Sequence, residues 1–201
     1  MSTDASAAKE PKRERGKQRV ATLLDAGAAL FTEKGYDATT MTEIAARAGA
    51  AIGSLYQFFP SKEALAEALF GRYAERVAVL LDDVTSRAPR LSPAQLADLI
   101  VDMMLELRAD RDAAVALSNA VTDIGERRKP MRGAIRRQVA EILRAAKAGL
   151  TEEGAATAAV MVAQLMKTVP ALAEAEEESG QKLVAEARTI LALYIGHVFE
   201  E

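Results

Sequence analysis

The stretch from Thr39 to Glu63 limits what this chain can fold into more than any other. Thr40 followed three residues later by Glu43 is the pattern of a capping box, so the spacing predicts a helix starting at Met41, with Ile44, Ala45 and Ala48 on one apolar face. Gly49 is placed to end it. Ile52 to Phe59 has the length of a second short helix, which Pro60 closes because the residue before a proline is pushed out of helical geometry. Two short helices joined by a glycine-containing turn describe a helix-turn-helix, whose second helix enters the major groove of DNA.

The remainder also reads as helix. Half of the 201 residues are apolar while only 4% are aromatic, and alanine, leucine and valine dominate, which suits amphipathic helices. This length holds one sizeable core, or a small domain joined to a larger one. Without cysteine there is no disulfide framework and no thiolate for metal binding or nucleophilic attack. Apolar runs are interrupted by charges, so no span of about 20 apolar residues is expected to cross a bilayer. The first residues are charged and lack an apolar signal core. The cytoplasm is the expected location, with no membrane partner.

The net charge of −3 conceals an uneven distribution. Residues 1–62 hold nine Lys or Arg against seven Asp or Glu, whereas residues 63–201 hold seventeen against twenty-two. Positive charge therefore gathers beside the helix-turn-helix, as a phosphate-binding surface requires. Residues 1–14 read as a flexible basic arm, whose Lys12 and Arg13, with Arg15 and Lys17 just after it, can reach phosphates or the minor groove.

Taken in order, Val20, Leu23, Leu24, Ala28 and Phe31 recur at helical spacing and predict a first helix from Arg15 to Lys34, ended by Gly35. Ser61 is an N-cap for a long fourth helix through Leu65, Leu69, Tyr73, Val77 and Val84. Ser92 caps a fifth, residues 108–111 read as a bend, and a sixth helix runs from Ala113 to Ile124. Gly125 to Pro130 reads as a break, with Pro130 in the first turn of a seventh helix that ends near Gly149. Thr151 opens an eighth, which Pro170 should kink or end, and a ninth spans Gln181 to Phe199. The fold class is all-α, with about nine helices. The last two helices are too apolar to cover only their own monomer, which predicts a homodimer through them; the alternative reading makes both central in the monomer.

The stretch Ala48 to Leu65, together with Phe31-Thr-Glu-Lys-Gly-Tyr36 and Thr39-Thr-Met-Thr-Glu-Ile44, resembles the DNA-binding domain of the TetR family of bacterial transcriptional regulators. The match runs without a gap over roughly Arg19 to Leu69. The resemblance implies a three-helix DNA-binding domain over residues 15–68 and a larger helical domain for effector binding and dimerisation over 69–201. It implies a sequence-specific regulator, a repressor released from a palindromic double-stranded operator by a small-molecule effector of unknown identity, with no cofactor.

Carried over by position, Thr40 and Thr42 fall where the second helix meets backbone phosphate. Ala51, Ile52, Gly53 and Gln57 fall on base-facing positions, and Ser54, Tyr56 and Lys62 on phosphate contacts. The side chains agree: Ser54 and Tyr56 offer hydroxyls, Lys62 a charge, and the Gln57 amide can pair bidentately with adenine. Ala51 and Ile52 depart from the polar residues common in the family, leaving sequence reading more dependent on Gln57 and on DNA shape. Leu55, Phe58 and Phe59 read as core, and Arg47 as a solvated helix-end charge.

In the effector domain, Met103, Met104, Leu107, Val115, Leu117, Ile142, Met161, Leu165 and Met166 can line an apolar pocket, with Asn119, Gln164 and Thr168 as polar points. Methionines at this spacing equally describe plain core. Cations from Arg127 to Arg137 crowd a predicted helix start, where they oppose the dipole. They suggest an ion-pair network with Asp110, Asp112, Asp123 or Glu126, an anionic ligand group, or a second DNA contact. An enzyme is disfavoured: His197 stands alone as a packed or capping residue, and no phosphate loop, metal-ligand spacing or nucleophile-base pair is evident. The remaining alternative is a helical interaction protein that keeps the fold without specific DNA recognition.

Overall fold

Helix caps and breaks set the architecture. The computed structural model describes residues 14–175 and 177–200, apart from the side chains of residues 118, 119, 122, 123, 125, 127, 128 and 177. The basic arm expected over residues 1–14 lies almost wholly outside the described residues. Nine α-helices and one 3-10 turn form the described chain: α1 Glu14–Lys34, α2 Met41–Arg47, α3 Ile52–Phe58, α4 Lys62–Arg87, the turn Ala88–Arg90, α5 Pro93–Glu106, α6 Arg108–Ala120, α7 Thr122–Ala146, α8 Glu152–Leu172 and α9 Glu177–Glu200.

Most starts follow local chemistry. Ser92 and Gln95 form a full capping box on α5, with Pro93 in its first turn, where a missing N–H costs nothing. The Thr151 hydroxyl accepts the Gly154 N–H at 3.1 Å to cap α8. Gly35 and Gly149 follow α1 and α7 with positive φ of 81° and 92°, a backbone state that costs glycine little.

Three expectations from the sequence are corrected. Residues 108–111 are helical: the break falls at Leu107, which caps α5, and Asp110 then sits favourably in the first turn of α6. The predicted break at Gly125 to Pro130 is absent, and α7 runs through Pro130. An internal proline costs about 3 kcal/mol, a local cost that does not by itself end a helix, since most helical stability in a protein comes from tertiary packing. The third concerns the bilayer test: α8 is long and apolar enough to cross a membrane by length and composition. Its buried face of Ala155, Ala158, Ala159, Val162, Ala163, Met166 and Val169 makes it a core helix.

The chain divides into two compact units, Met1–Ala74 with Ala109–Arg128, and Glu75–Arg108 with Lys129–Glu201. In the first, Leu23, Leu30, Phe31, Ile44, Leu55, Phe59, Leu65 and Leu69 form a core to which α1, α2, α3 and the start of α4 all contribute. In the second, α5 packs against α9, and α8 against both. Leu96, Ile100, Val101, Ile142, Leu143, Val162 and Ile195 are almost inaccessible there. Large hydrophobic side chains remain exposed on the two last helices: Val160 and Met161 of α8, and Leu183, Ile190 and Leu193 of α9, the last at 70%.

Candidate nucleic-acid interface

The capping box foreseen from Thr40 and Glu43 forms completely. The Glu43 N–H reaches the Thr40 hydroxyl oxygen at 3.3 Å, and the Thr40 N–H reaches Glu43 Oε2 at 2.9 Å. Lys34 Nζ donates to the other carboxylate oxygen at 2.6 Å. That bond first, and the Thr40 N–H second, hold the Glu43 carboxyl down at about 2. At the far end of α2, Gly49 has φ 57°, the Ala50 N–H bonds the Ala45 carbonyl at 2.9 Å, and the Gly49 N–H bonds that of Ala46 at 3.1 Å. This is a Schellman closure, and it turns the chain sharply into α3.

α3 is two-faced. Leu55 and the following Phe59 are buried to 1% or less, fixing one side to the core. Ile52 is 40% and Tyr56 49% exposed, and Ala51, Gly53 and Gln57 are exposed beside them, while Ser54 and Phe58 are half-buried. Positions 52, 53, 56 and 57 are a turn apart and share one helix face. A Cβ built on Gly53 meets nothing within 4 Å, so packing in the domain does not require glycine there. No acidic or basic residue lies in α3.

The loop between α1 and α2 is held from α4. Lys62 Nζ donates to the carbonyl of Tyr36 at 2.8 Å and of Thr39 at 3.0 Å, with that of Asp37 at 3.4 Å, and lies 4.3 Å from the Tyr36 ring centre. Its donors are thus engaged inside the domain. The Tyr36 hydroxyl donates to Glu63 Oε1 at 3.1 Å, and burial, reinforced by Glu63, pushes the phenol up to about 12. Thr39, 1% exposed, donates its hydroxyl to the carbonyl of Gly35 at 2.8 Å, with that of Leu30 at 3.2 Å. Sequence reading passed over Thr39 as a structural residue; its one signal is its place just after the glycine that ends α1. Arg47, expected to be merely solvated, forms a bidentate pair with Glu33 at 2.7 and 2.8 Å.

The residues of the second unit expected to line an effector pocket fall into core, surface and groove. Met103, Met104, Leu107 and Ile142 are buried, and Met161 is 49% exposed. Leu165 and Thr168 line an apolar groove of about 220 Å³ between α5, α8 and α9. Gln164 lines a separate cleft between α7 and α8. The side chain of Asn119 lies outside the described residues. His197 is exposed in the last turn of α9. Of the carboxylates expected to neutralise the cations of α7, Asp110 pairs with Arg72 at 2.9 Å and Asp112 with Arg111 at 3.3 Å.

Comparison with known proteins follows this geometry. A family model described as bacterial regulatory proteins, tetR family, matches residues 23–69, and one described as tetracyclin repressor-like, C-terminal domain, matches residues 92–194. The chain is 41% identical over 73 residues to the HTH-type transcriptional repressor KstR of Mycolicibacterium smegmatis, covering 36% of this chain and 34% of the relative. It is 47% identical over 68 residues to the HTH-type transcriptional repressor KstR2 of Rhodococcus jostii, covering 30% and 33%. The chain thus spans about a third of the length of these curated relatives. A solved transcriptional regulator from Aquifex aeolicus superposes with a TM-score of 0.70 at 17% identity, over 87% of this chain and 98% of that one, a likeness of fold.

Proposed function

This chain belongs to the TetR family of bacterial regulatory proteins, and from that premise we propose that it represses transcription by binding a palindromic operator as a homodimer, from which a small-molecule effector releases it. The family is one of regulators, not enzymes. One observation carries the DNA-binding part: Ile52, Gly53, Tyr56 and Gln57 are exposed side by side on α3, while Leu55 and Phe59 anchor the helix to the core. In the major groove, Gln57 pairs with adenine, and Ala51 and Ile52 meet thymine methyls. Ser54 and Tyr56 supply hydroxyls to phosphates. From α2, Thr42 meets the backbone, while Thr40, whose hydroxyl is engaged by Glu43, fixes the approach of that helix. Lys62 acts by holding the loop that carries α2, and a phosphate contact would compete with its three carbonyls.

The exposed apolar side chains of α8 and α9 support a two-fold four-helix interface. Two heads held about one helical turn apart, ~34 Å, read the halves of a palindrome. The effector acts by preferring the state whose head spacing DNA disfavours, so each ligand weakens the other. The groove lined by Ile100, Val101, Leu165 and Thr168 offers an apolar site for it. The curated relatives' description as repressors supports repression as the sign of regulation. The cytoplasm is the expected location.

The test is selection of bound sequences from a random duplex pool by the purified protein. An enriched palindrome is the expected result. Weak binding equal on all sequences, even at low salt, would overturn a specific regulator and leave a helical interaction protein with the same fold.

A further inference from the structure

Within the second unit, α9 has one side in the core and another in solvent. Leu191, Ile195 and Val198 are buried, whereas Leu183, Glu186, Ile190, Leu193, His197 and Glu200 are all exposed. Those six follow one another at steps of 3, 4, 3, 4 and 3 residues. Alternating threes and fours average 3.5 residues, the repeat that keeps one stripe of a helix against a second helix along its whole length. The three apolar members, Leu183, Ile190 and Leu193, lie on that stripe. On α8, by contrast, the exposed large hydrophobic side chains among the described residues are the sequence neighbours Val160 and Met161, which form no such stripe.

We propose that this stripe packs against the same stripe of a second copy of the chain, with the two α9 helices antiparallel and the two-fold axis passing between Ile190 and Leu193. The series of steps reads the same in both directions, so reversing the second helix keeps every layer in register. Ile190 then meets Leu193 of the partner subunit, Glu186 meets His197 of the partner subunit, and Leu183 meets the stem of Glu200 of the partner subunit. The centre of the seam is apolar and its ends are polar, the arrangement of a core and rim. Charge selects the direction. A parallel pairing would set Glu186 against its own copy and Glu200 against its own copy, two like-charge layers that the antiparallel register avoids. Leu183, Glu186 and Ile190 also form one edge of the groove between α5, α8 and α9, so the partner helix covers that edge while Ile100, Val101, Leu165 and Thr168 remain its lining.

The register rests on the homodimer reading above and adds to it which helix lies at the centre and which way its mate runs. The chain has no cysteine, so disulfides introduced by substitution report proximity without background. Full-length Glu186→Cys and His197→Cys chains, carrying tags of different length, are co-expressed and oxidised mildly. A disulfide forms only where the two Cα atoms come within about 7 Å. The unlike pair is in reach in the proposed register, whereas two copies of either variant stand about 16 Å apart along the helix axis. The expected result is a cross-linked heterodimer about tenfold or more above either cross-linked homodimer. Leu183→Cys with Glu200→Cys repeats the test at the ends of the seam, where like copies stand about 26 Å apart. All four positions are exposed, so folding of the monomer does not depend on them. Homodimers cross-linked by each variant alone would overturn the antiparallel direction, and dimers that cross-link in neither pair would overturn the seam. A wild-type chain that sediments as a monomer would instead overturn the homodimer reading, and the register with it.

Discussion

The ammonium of Lys62 sits 4.3 Å from the ring centre of Tyr36 and 2.8 Å from that residue's carbonyl oxygen, so one side chain of α4 grips the end of the loop that leads into α2. Hydrogen bonds from a charged donor contribute about 1.5–3 kcal/mol each where they are shielded, and less where water competes. Lys62→Met should therefore lower unfolding free energy by about 1–3 kcal/mol in urea melts, with DNA affinity falling alongside. Unchanged stability with lost affinity would instead make Lys62 a direct phosphate contact.

The depressed carboxyl of Glu43 gives the fold a dependence on acid. Its value is about 2 in the folded chain against an ordinary 4.5, so its contribution is complete above pH 4.5 and is lost as pH falls toward 2. Thermal melts of the wild type and Glu43→Gln should differ most near neutrality, and the difference should shrink below pH 4.5. A gap that stays constant across that range would contradict the capping and Lys34 contacts as its source.

Two glycines should respond in opposite senses. A Cβ on Gly27 would stand 2.7 Å from Leu65 Cδ2, in the buried contact between α1 and α4, whereas one on Gly53 meets open space. Gly27→Ala should destabilise by about 1–3 kcal/mol through overpacking. Gly53→Ala should stabilise by up to about 1 kcal/mol through helix propensity while weakening DNA binding, because the added methyl stands on the face that meets the bases. Denaturant midpoints and operator affinities separate the two effects.

Arg72 joins three helices of the first unit, with Nη1 2.7 Å from Asp25 and Nη2 2.9 Å from Asp110. The Asp25 side chain is 70% exposed and that of Asp110 only 10%. Losing the exposed partner in Asp25→Ala should cost about 0–1 kcal/mol. Asp110→Ala should cost about 2–4 kcal/mol, since it leaves a largely desolvated guanidinium whose Nε is already buried without a partner. Equal losses in the two variants would show that burial does not rank these contacts.

What the sequence revealed was chiefly local. Thr40 and Glu43, Ser61, Ser92 and Thr151 could be read as caps because a cap and its N–H lie within three residues, and each forms. The face of α3 was legible because Leu55 and Phe59 fall one turn apart on one side, leaving Gly53 and Gln57 on the other. Lys62 was not legible as a clamp, since its carbonyl partners stand 23 to 26 residues away and carry no side-chain signature. Pro130 misled because a local backbone cost was weighed without the tertiary packing that holds a helix. Methionine spacing marked an inward face on α5, but periodicity does not distinguish a face that meets a cavity from one that meets core, and Met103 and Met104 meet core.

With a selected duplex in hand, the most direct measurement is the affinity of the wild type, Gln57→Ala and Tyr56→Ala for every single-base variant of one half-site. Gln57→Ala should lose about 1–3 kcal/mol of discrimination at one base pair and keep the rest of the preference. Tyr56→Ala should weaken all duplexes alike, as a phosphate contact does. If both variants bind every duplex as the wild type does, the exposed face of α3 does not read DNA.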